Sequence, residues 1–421
     1  MSSESPILNS PYAEPSRHFK SDDRGLTDEI TPARRPSSFY IPVPRAKTKQ
    51  QQLDLNLAEG AYGSELQKEN EFINKVRQKI NEWRSAGYPS ITRISRELLH
   101  YWQEETRQNK LFFCQIEALE TIIYINEVAE KTGEVWMVNE LKEKNQEANP
   151  CLYCIALKMA TGSGKTVVMA MIIAYNTLNK IRYPQDTRFT DTFTFVVVTP
   201  GITIRDRLNV LLTNATHNYY LERDIVSYQD FELLHQANIL IVNYHQLELR
   251  QNPRYQIGST IKSTHMISEA VVKETPAAML NRVFKRIAAK PRVLIMNDEA
   301  HHCYREKPTD EKLRGEDRRE ADENNKAARV WISGLEALAK KMTINAVIDL
   351  SATPYFLRGS GYQEGTLFPW VVSDFSKSRR NDRARRGCVF GFVLLSSRKI
   401  WRVKKINCVR SGRLCSSSPT A

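Results

Sequence analysis

The apolar positions of the chain fall into two regimes with different periods. Between 64 and 133 they recur every three or four residues. Leu66, Ile73, Val76, Ile80 and Trp83 share one helical face that Gly87 ends. A second helix is expected near 91–102, and a third follows Gln115 through Ile116, Leu119, Ile122 and Ile123 to a stop near Gly133. From Cys151 the texture alternates. Short apolar runs at 152–159, 193–198, 239–242, 293–296 and 346–350 are separated by amphipathic stretches at 167–178, 204–212 and 327–342. Buried parallel strands joined by crossover helices produce this alternation. The pattern therefore predicts an α/β domain built on a parallel sheet, preceded by an all-α lead-in.

Before the lead-in, little periodicity is visible. Seven prolines (Pro6, Pro11, Pro15, Pro32, Pro36, Pro42 and Pro44) mark an extended arm. The stretch 304–326 is dense in both signs of charge and is expected to be a solvated loop. Four segments result: an arm over 1–62, a helical lead-in over 63–135, an α/β domain over 136–372 and a tail over 373–421.

Charge changes the picture only when it is located. The chain has a net charge of +13, but 13 of its 61 Lys and Arg lie in 377–421 beside one acid, Asp382. The rest carries 48 bases against 47 acids and is close to neutral. The overall charge is thus no argument that the folded body binds nucleic acid. No apolar run approaches the roughly 18 residues of a membrane span. The first residues lack the basic and apolar regions of a secretory signal. Seven cysteines at irregular spacing make no disulfide framework. A cytoplasmic protein with reduced thiols is expected. Cys151 and Cys154 form a lone CxxC with no second pair at zinc spacing and read as core or strand thiols.

Three motifs carry chemistry, each just after a predicted strand. In Met159-Ala160-Thr161-Gly162-Ser163-Gly164-Lys165-Thr166, glycines let the backbone turn its N–H groups onto phosphate oxygens as a helix opens. Lys165 would reach the β- and γ-phosphates of ATP or a close relative, and the Thr166 hydroxyl would bind Mg²⁺. The general motif asks for glycine where Met159 stands. Asp298-Glu299-Ala300-His301 places an acid where ligands bind in parallel sheets: Asp298 would hold Mg²⁺, and Glu299 would polarise the attacking water. Ser351-Ala352-Thr353-Pro354 is a small hydroxyl-rich turn able to relay the state of the γ-phosphate.

In this order the motifs resemble those of superfamily 2 helicases and translocases, the DEAD/DEAH-box ATPases, and most closely the restriction (Res) subunits of type III restriction endonucleases. The resemblance covers about 111–370. It implies a RecA-like P-loop domain using ATP and Mg²⁺, with a P-loop form that tolerates Met159. It makes Asp298–His301 the DEAH box, in which His301 couples hydrolysis to nucleic-acid contact, and Ser351–Thr353 the SAT motif. Phe113-Cys114-Gln115 resembles an upstream element in which Gln115 reads the adenine edge. Thr199-Pro200-Gly201 with Arg205, and Asn243-Tyr244-His245, resemble elements that contact the nucleic-acid strand. Ser10-Pro11-Tyr12-Ala13-Glu14-Pro15 resembles Res N-termini.

The partners implied are double-stranded DNA and a modification (methyltransferase) subunit, with no membrane. The family's second RecA-like domain is not expected in the 68 residues after Thr353. Arg410-Ser411-Gly412-Arg413 lacks the framework of that domain, and no metal-nuclease constellation follows Thr353. The tail from Lys377, with Cys388, Cys408 and Cys415, reads as an out-of-frame end of a truncated frame or as a basic nucleic-acid-binding tail. Two other readings stay open: an RNA-directed DEAH-type ATPase, and a nucleotide-binding remnant without turnover.

Overall fold

The computed structural model describes residues 8–22, 25–42, 65–189, 193–215, 217–252, 272–308 and 315–376. The expectations for the tail from Lys377 onward lie outside the described residues. In chain order a hairpin of β1 (His18–Asp22) and β2 (Gly25–Thr31) comes first, and β3 (Ser38–Pro42) then pairs with β4 (Glu65–Glu69). The helices α1 (Glu71–Ser85), α2 (Arg93–Gln103), α3 (Phe113–Ile123) and α4 (Val135–Ala148) follow. The α/β body runs β5 (Cys154–Met159), α5 (Lys165–Arg182), β6 (Thr194–Thr199), α6 (Ile202–Leu208), α7 (Tyr219–Glu222), α8 (Tyr228–Leu234) and β7 (Asn238–Asn243). After the short pair β8 (Gln251–Asn252) and β9 (Val272–Lys273) come α9 (Pro276–Val283), β10 (Arg292–Asp298), α10 (Gly315–Ala339), β11 (Thr343–Ser351) and β12 (Val371–Phe375).

Six strands form one sheet in the order β12-β5-β11-β10-β6-β7, and every pairing is parallel. Parallel strands buried on both faces explain the unbroken apolar runs. Because all six point the same way, the residues that follow β5, β6, β7, β10 and β11 gather along one edge of the sheet. All three predicted motifs therefore meet there. This is the RecA-like α/β arrangement. α5 begins at the P-loop and is buried along nearly its whole length, so it is apolar all round rather than on one face.

Four expectations need correction. Leu66 lies on β4, and the first helix begins only at Glu71, after the Asn70 side chain accepts from Ile73 N–H. α4 follows Gly133 and is a further helix beyond the three expected. Within 304–326, residues from Gly315 are helical: their charges face solvent along the first half of α10. The body reaches past 372, because β12 ends at Phe375. Of the CxxC pair, Cys154 is buried in β5 while Cys151 is exposed.

The proline-rich arm is more than a linker where it is described. The Pro11 carbonyl accepts from Phe113 N–H at 2.8 Å, at the start of α3. Glu117 and Glu120 of α3 are buried carboxylates, which are costly unless paired. Arg34 from the arm forks onto Glu117 at 2.5 and 2.6 Å, and Arg84 of α1 onto Glu120 at 2.6 and 2.9 Å. Glu14 bridges both arginines at 3.0 and 3.3 Å. A second tie joins Ser37 Oγ to Asp374 Oδ2 at 2.6 Å, and Lys158 Nζ meets Asp374 Oδ1 at 2.7 Å. Burial would raise the Asp374 pKa, but Lys158 and the Ser37 bond outweigh it and hold the carboxyl below its usual range. The arm, the lead-in helices and the sheet share one buried apolar cluster. Among the described residues no helix is long and apolar enough to cross a membrane.

Candidate nucleotide site and adjoining cleft

The P-loop leaves β5 and turns on two left-handed glycines, Gly162 at φ +78° and Gly164 at φ +87°. Gly164 is the N-cap of α5, so Lys165 and the half-buried Thr166 open the helix. The first N–H groups of a helix generally lack acceptors within it and carry its positive dipole end; here Val167 N–H bonds to Gly164 O at 2.9 Å. Ser163 is buried, and its Oγ has no hydrogen-bond partner. Thr161 and Gly162 are exposed at the crest.

Gln115 sits directly behind this loop. Its Nε2 donates to Ser163 O at 2.9 Å, and its Oε1 accepts from Phe112 N–H at 2.9 Å. Only 4% of the residue is exposed. The side chain expected to read an adenine edge thus braces the P-loop against the start of α3. A Cβ on Gly164 would lie 2.1 Å from Gln115 Nε2. Gly164→Ala therefore combines a left-handed backbone cost of about 1–2 kcal/mol with loss of the brace. Gly133, at φ +82° and with nothing within 4 Å of where a methyl would stand, isolates the first effect. G164A should lower the unfolding midpoint more than G133A and weaken Mg·ATP binding at least about tenfold, which is ~1.4 kcal/mol. Equal behaviour of the two variants in thermal melts and nucleotide titrations would refute the brace.

Opposite Lys165 stands Glu299. Its backbone is left-handed, at φ 53° and ψ 49°, the strained kind of position that concentrates at functional sites. The Lys165 ammonium pairs with its carboxylate. The His301 ring lies with Nδ1 3.1 Å from Ser351 Oγ and 3.5 Å from Glu299 Oε2. Burial, with His302 adjacent, lowers the His301 pKa to about 4. The ring is therefore neutral near pH 7, and its contact with Glu299 is no ion pair. Ser351 Oγ also accepts from Thr353 N–H at 3.1 Å, which ties the SAT turn to the DEAH box. Asp298 is buried, with Oδ1 unpartnered, and burial raises its pKa to about 6 although Lys165 pulls the other way. A buried carboxylate oxygen without a donor, with a helix-opening threonine hydroxyl on the same edge of the sheet, is a hard oxygen set that suits Mg²⁺. The P-loop, DEAH and SAT residues are thus brought together.

A cleft of about 400 Å³ opens along the same edge, past β6 and β7. Arg205, Asn243, His245, Arg250 and Arg282 line it, with Glu248 as the acid among them. Arg282 also holds its wall in place by donating to Gln246 O and Glu248 O at 3.0 and 3.2 Å. Of the residues assigned to nucleic acid from sequence, Arg205, Asn243 and His245 reach this cleft. Thr199 is fully buried, with its hydroxyl donating to Gly201 O at 3.1 Å, and Pro200 and Gly201 lead into α6. Tyr244 turns inward and stacks on Trp331, with centroids 5.3 Å apart and planes 4° from parallel.

The family model described as "Type III restriction enzyme, res subunit" matches residues 108–356. The chain belongs to that family. At family level the Res domain is an ATP-dependent, helicase-like motor domain, and such domains generally work with ATP and Mg²⁺. No curated protein matches the chain. The Res match begins just before Gln115 and ends just after the SAT turn, so it spans both the nucleotide site and the cleft.

Sequence reasoning missed Arg250 and Arg282 in the cleft, and a buried polar chain beneath the site. Asn297 Nδ2 donates to Asp349 Oδ1 at 2.8 Å, Trp370 Nε1 donates to Asp349 Oδ2 at 2.8 Å, and Trp331 Nε1 donates to Asn297 Oδ1 at 3.1 Å. The one local signal was a polar residue inside each of two otherwise apolar strands, at Asn297 and Asp349.

Proposed function

We propose that this chain is a Res-type DNA-translocating motor domain that binds Mg·ATP at the P-loop and hydrolyses it in response to double-stranded DNA held in the adjoining cleft. The observation that carries the reading is the meeting of Lys165 with Glu299 beside Asp298, whose Oδ1 has no partner, on the edge that also bears the arginine-lined cleft.

In this reading each residue has a stated role. The P-loop N–H groups and Lys165 hold the β- and γ-phosphates. Thr166 and Asp298 hold Mg²⁺, which neutralises phosphate charge when bound. As Lys165 moves to the phosphates it leaves the Glu299 carboxylate free to accept a proton from the attacking water. The neutral His301 ring joins Glu299 to Ser351, and Thr353 carries the change onward. Gln115 keeps the loop in shape. Arg205 and Arg250 contact DNA phosphates, whose binding releases counterions and so weakens steeply with salt, while Arg282, paired with Glu274, shapes the cleft wall. A modification methyltransferase subunit is the protein partner this reading assigns.

Phosphate release by the purified chain, measured with duplex DNA, RNA or neither over a salt series, tests it. Stimulation by duplex DNA that fades with rising salt is expected. Stimulation by RNA alone would replace the reading with an RNA-directed ATPase, and indifference to both nucleic acids would sink it.

A further inference from the structure

The turn that floors the cleft is built into the support of the ATP site. Asn243 and His245 line the cleft, and the Tyr244 ring between them lies against the His245 ring, centroids 4.0 Å apart, and parallel to the Trp331 indole of α10, centroids 5.3 Å apart. Trp331 is fully buried, and its N–H is spent on Asn297, the residue immediately before Asp298. Asn297 in turn donates to Asp349, which is level with it on β11 and two residues before Ser351. Helix and turn have no slack between them. One turn beyond Trp331, a Cβ on Gly334 would lie 2.7 Å from Leu247 Cδ1 and 2.8 Å from Leu247 Cβ, so α10 approaches as closely as a glycine allows.

We propose that Tyr244, Trp331 and Asn297 form a relay by which an occupant of the cleft repositions Asp298 and Glu299 on one strand and Ser351 on the next. A strand of nucleic acid pressing on Asn243 and His245 shifts the turn. The turn moves the Trp331 ring with Tyr244, and the indole N–H pulls on Asn297. Because Asn297 bonds across to Asp349, the ends of β10 and β11 move together. Trp331 and Asn297 are positioning residues: neither touches nucleotide or nucleic acid. The relay rests on the function proposed above, since it needs a nucleotide on one side and nucleic acid on the other.

Such a relay is a coupling free energy between two binding sites. It is therefore read as the factor by which one ligand changes the affinity of the other. The experiment titrates the full chain with a fluorescent, non-hydrolysable ATP analogue and Mg²⁺, with and without saturating duplex DNA. A wild-type factor of about 5–150 is expected, the usual range for linked sites. Trp331→Phe keeps an aromatic ring under Tyr244 and removes the N–H together with part of the indole. It should bring the factor to about one while leaving the DNA-free analogue affinity at the wild-type level, which a merely structural loss would not do. Gly334→Ala, which wedges α10 off the turn, should do the same.

Where W331F does not fold, the half-buried Tyr244 carries the test: Tyr244→Phe keeps the factor and Tyr244→Ala loses it. Wild-type coupling retained in W331F and G334A, or in Y244A, overturns the relay. So does a wild-type chain that binds both ligands with no effect of one on the other, and in that case the proposed function stands. A chain that binds no analogue or no duplex sinks both.

Discussion

Lys165→Ala should lower the affinity for Mg·ATP by one to two orders of magnitude while leaving the fold in place. Lys165 is the cation that stands between the P-loop and two neighbouring carboxylates, Asp298 and Glu299. Removing it deletes charge-assisted bonds to phosphate, each worth about 1.5–3 kcal/mol, against ~1.4 kcal/mol per decade of affinity. It also leaves Glu299 unneutralised where an anionic ligand must approach. Stability should fall only modestly, because the Lys165–Glu299 pair keeps some contact with solvent, at 13% and 29% side-chain exposure, so Glu299 can rehydrate once its cation is gone. Calorimetric titration alongside thermal unfolding checks both halves. Undiminished affinity in K165A would remove the P-loop from the proposed site.

The parts of this site that were legible in the sequence are those written within a few consecutive residues. A glycine-rich turn after an apolar run, an acidic pair after another and a hydroxyl turn after a third are local patterns. The parallel sheet then brings their ends to one edge. The same logic explains which strands were visible. β5, β6 and β10 are buried on both faces, and with the less buried β7 and β11 they read as apolar runs. β12 did not, because Ser373 and Asp374 interrupt it. Asp374 is tolerated in the interior chiefly through Lys158 and Ser37, which lie 216 and 337 positions away in the chain, with Ser376 Oγ donating from beside it at 2.8 Å. Partners that distant leave no local trace.

Other features failed to show for related reasons. The first half of α10 is so densely charged that its helical period carries no apolar stripe, and only the second half, around Trp331 and Leu335, meets the core. The arm lacks any period because its stability comes from Arg34 and Glu14 reaching Glu117 and Arg84, not from a face of its own. Gln115 was visible as a residue, but the contacts of its amide were not. Its spacing before the P-loop was plain, but that both ends of its amide are taken, by Ser163 O and Phe112 N–H, depends on how α3 packs. Tyr244 is the same case: the turn was identified, and the direction of its ring was set by Trp331, 87 residues later in the chain.

Glu299→Gln should separate binding from chemistry. The amide keeps the shape of the carboxylate and can still sit in the left-handed position between Lys165 and His301. It cannot accept the proton of an attacking water. Loss of a positioned general base costs typically about 10²–10⁴ in rate. Binding should hold or tighten, because Lys165 no longer has a carboxylate to leave before it meets the phosphates. His301 supplies no substitute base: burial keeps its pKa near 4, so the ring is neutral already, but its Nδ1 is committed to Ser351 rather than to solvent. Single-turnover phosphate release with duplex DNA present, set beside the affinity for Mg·ATP, reads the two effects apart. A rate within about threefold of wild type, where a general base is worth about 10²–10⁴, would mean that Glu299 serves only as the resting partner of Lys165. The base would then have to be sought elsewhere along the sheet edge.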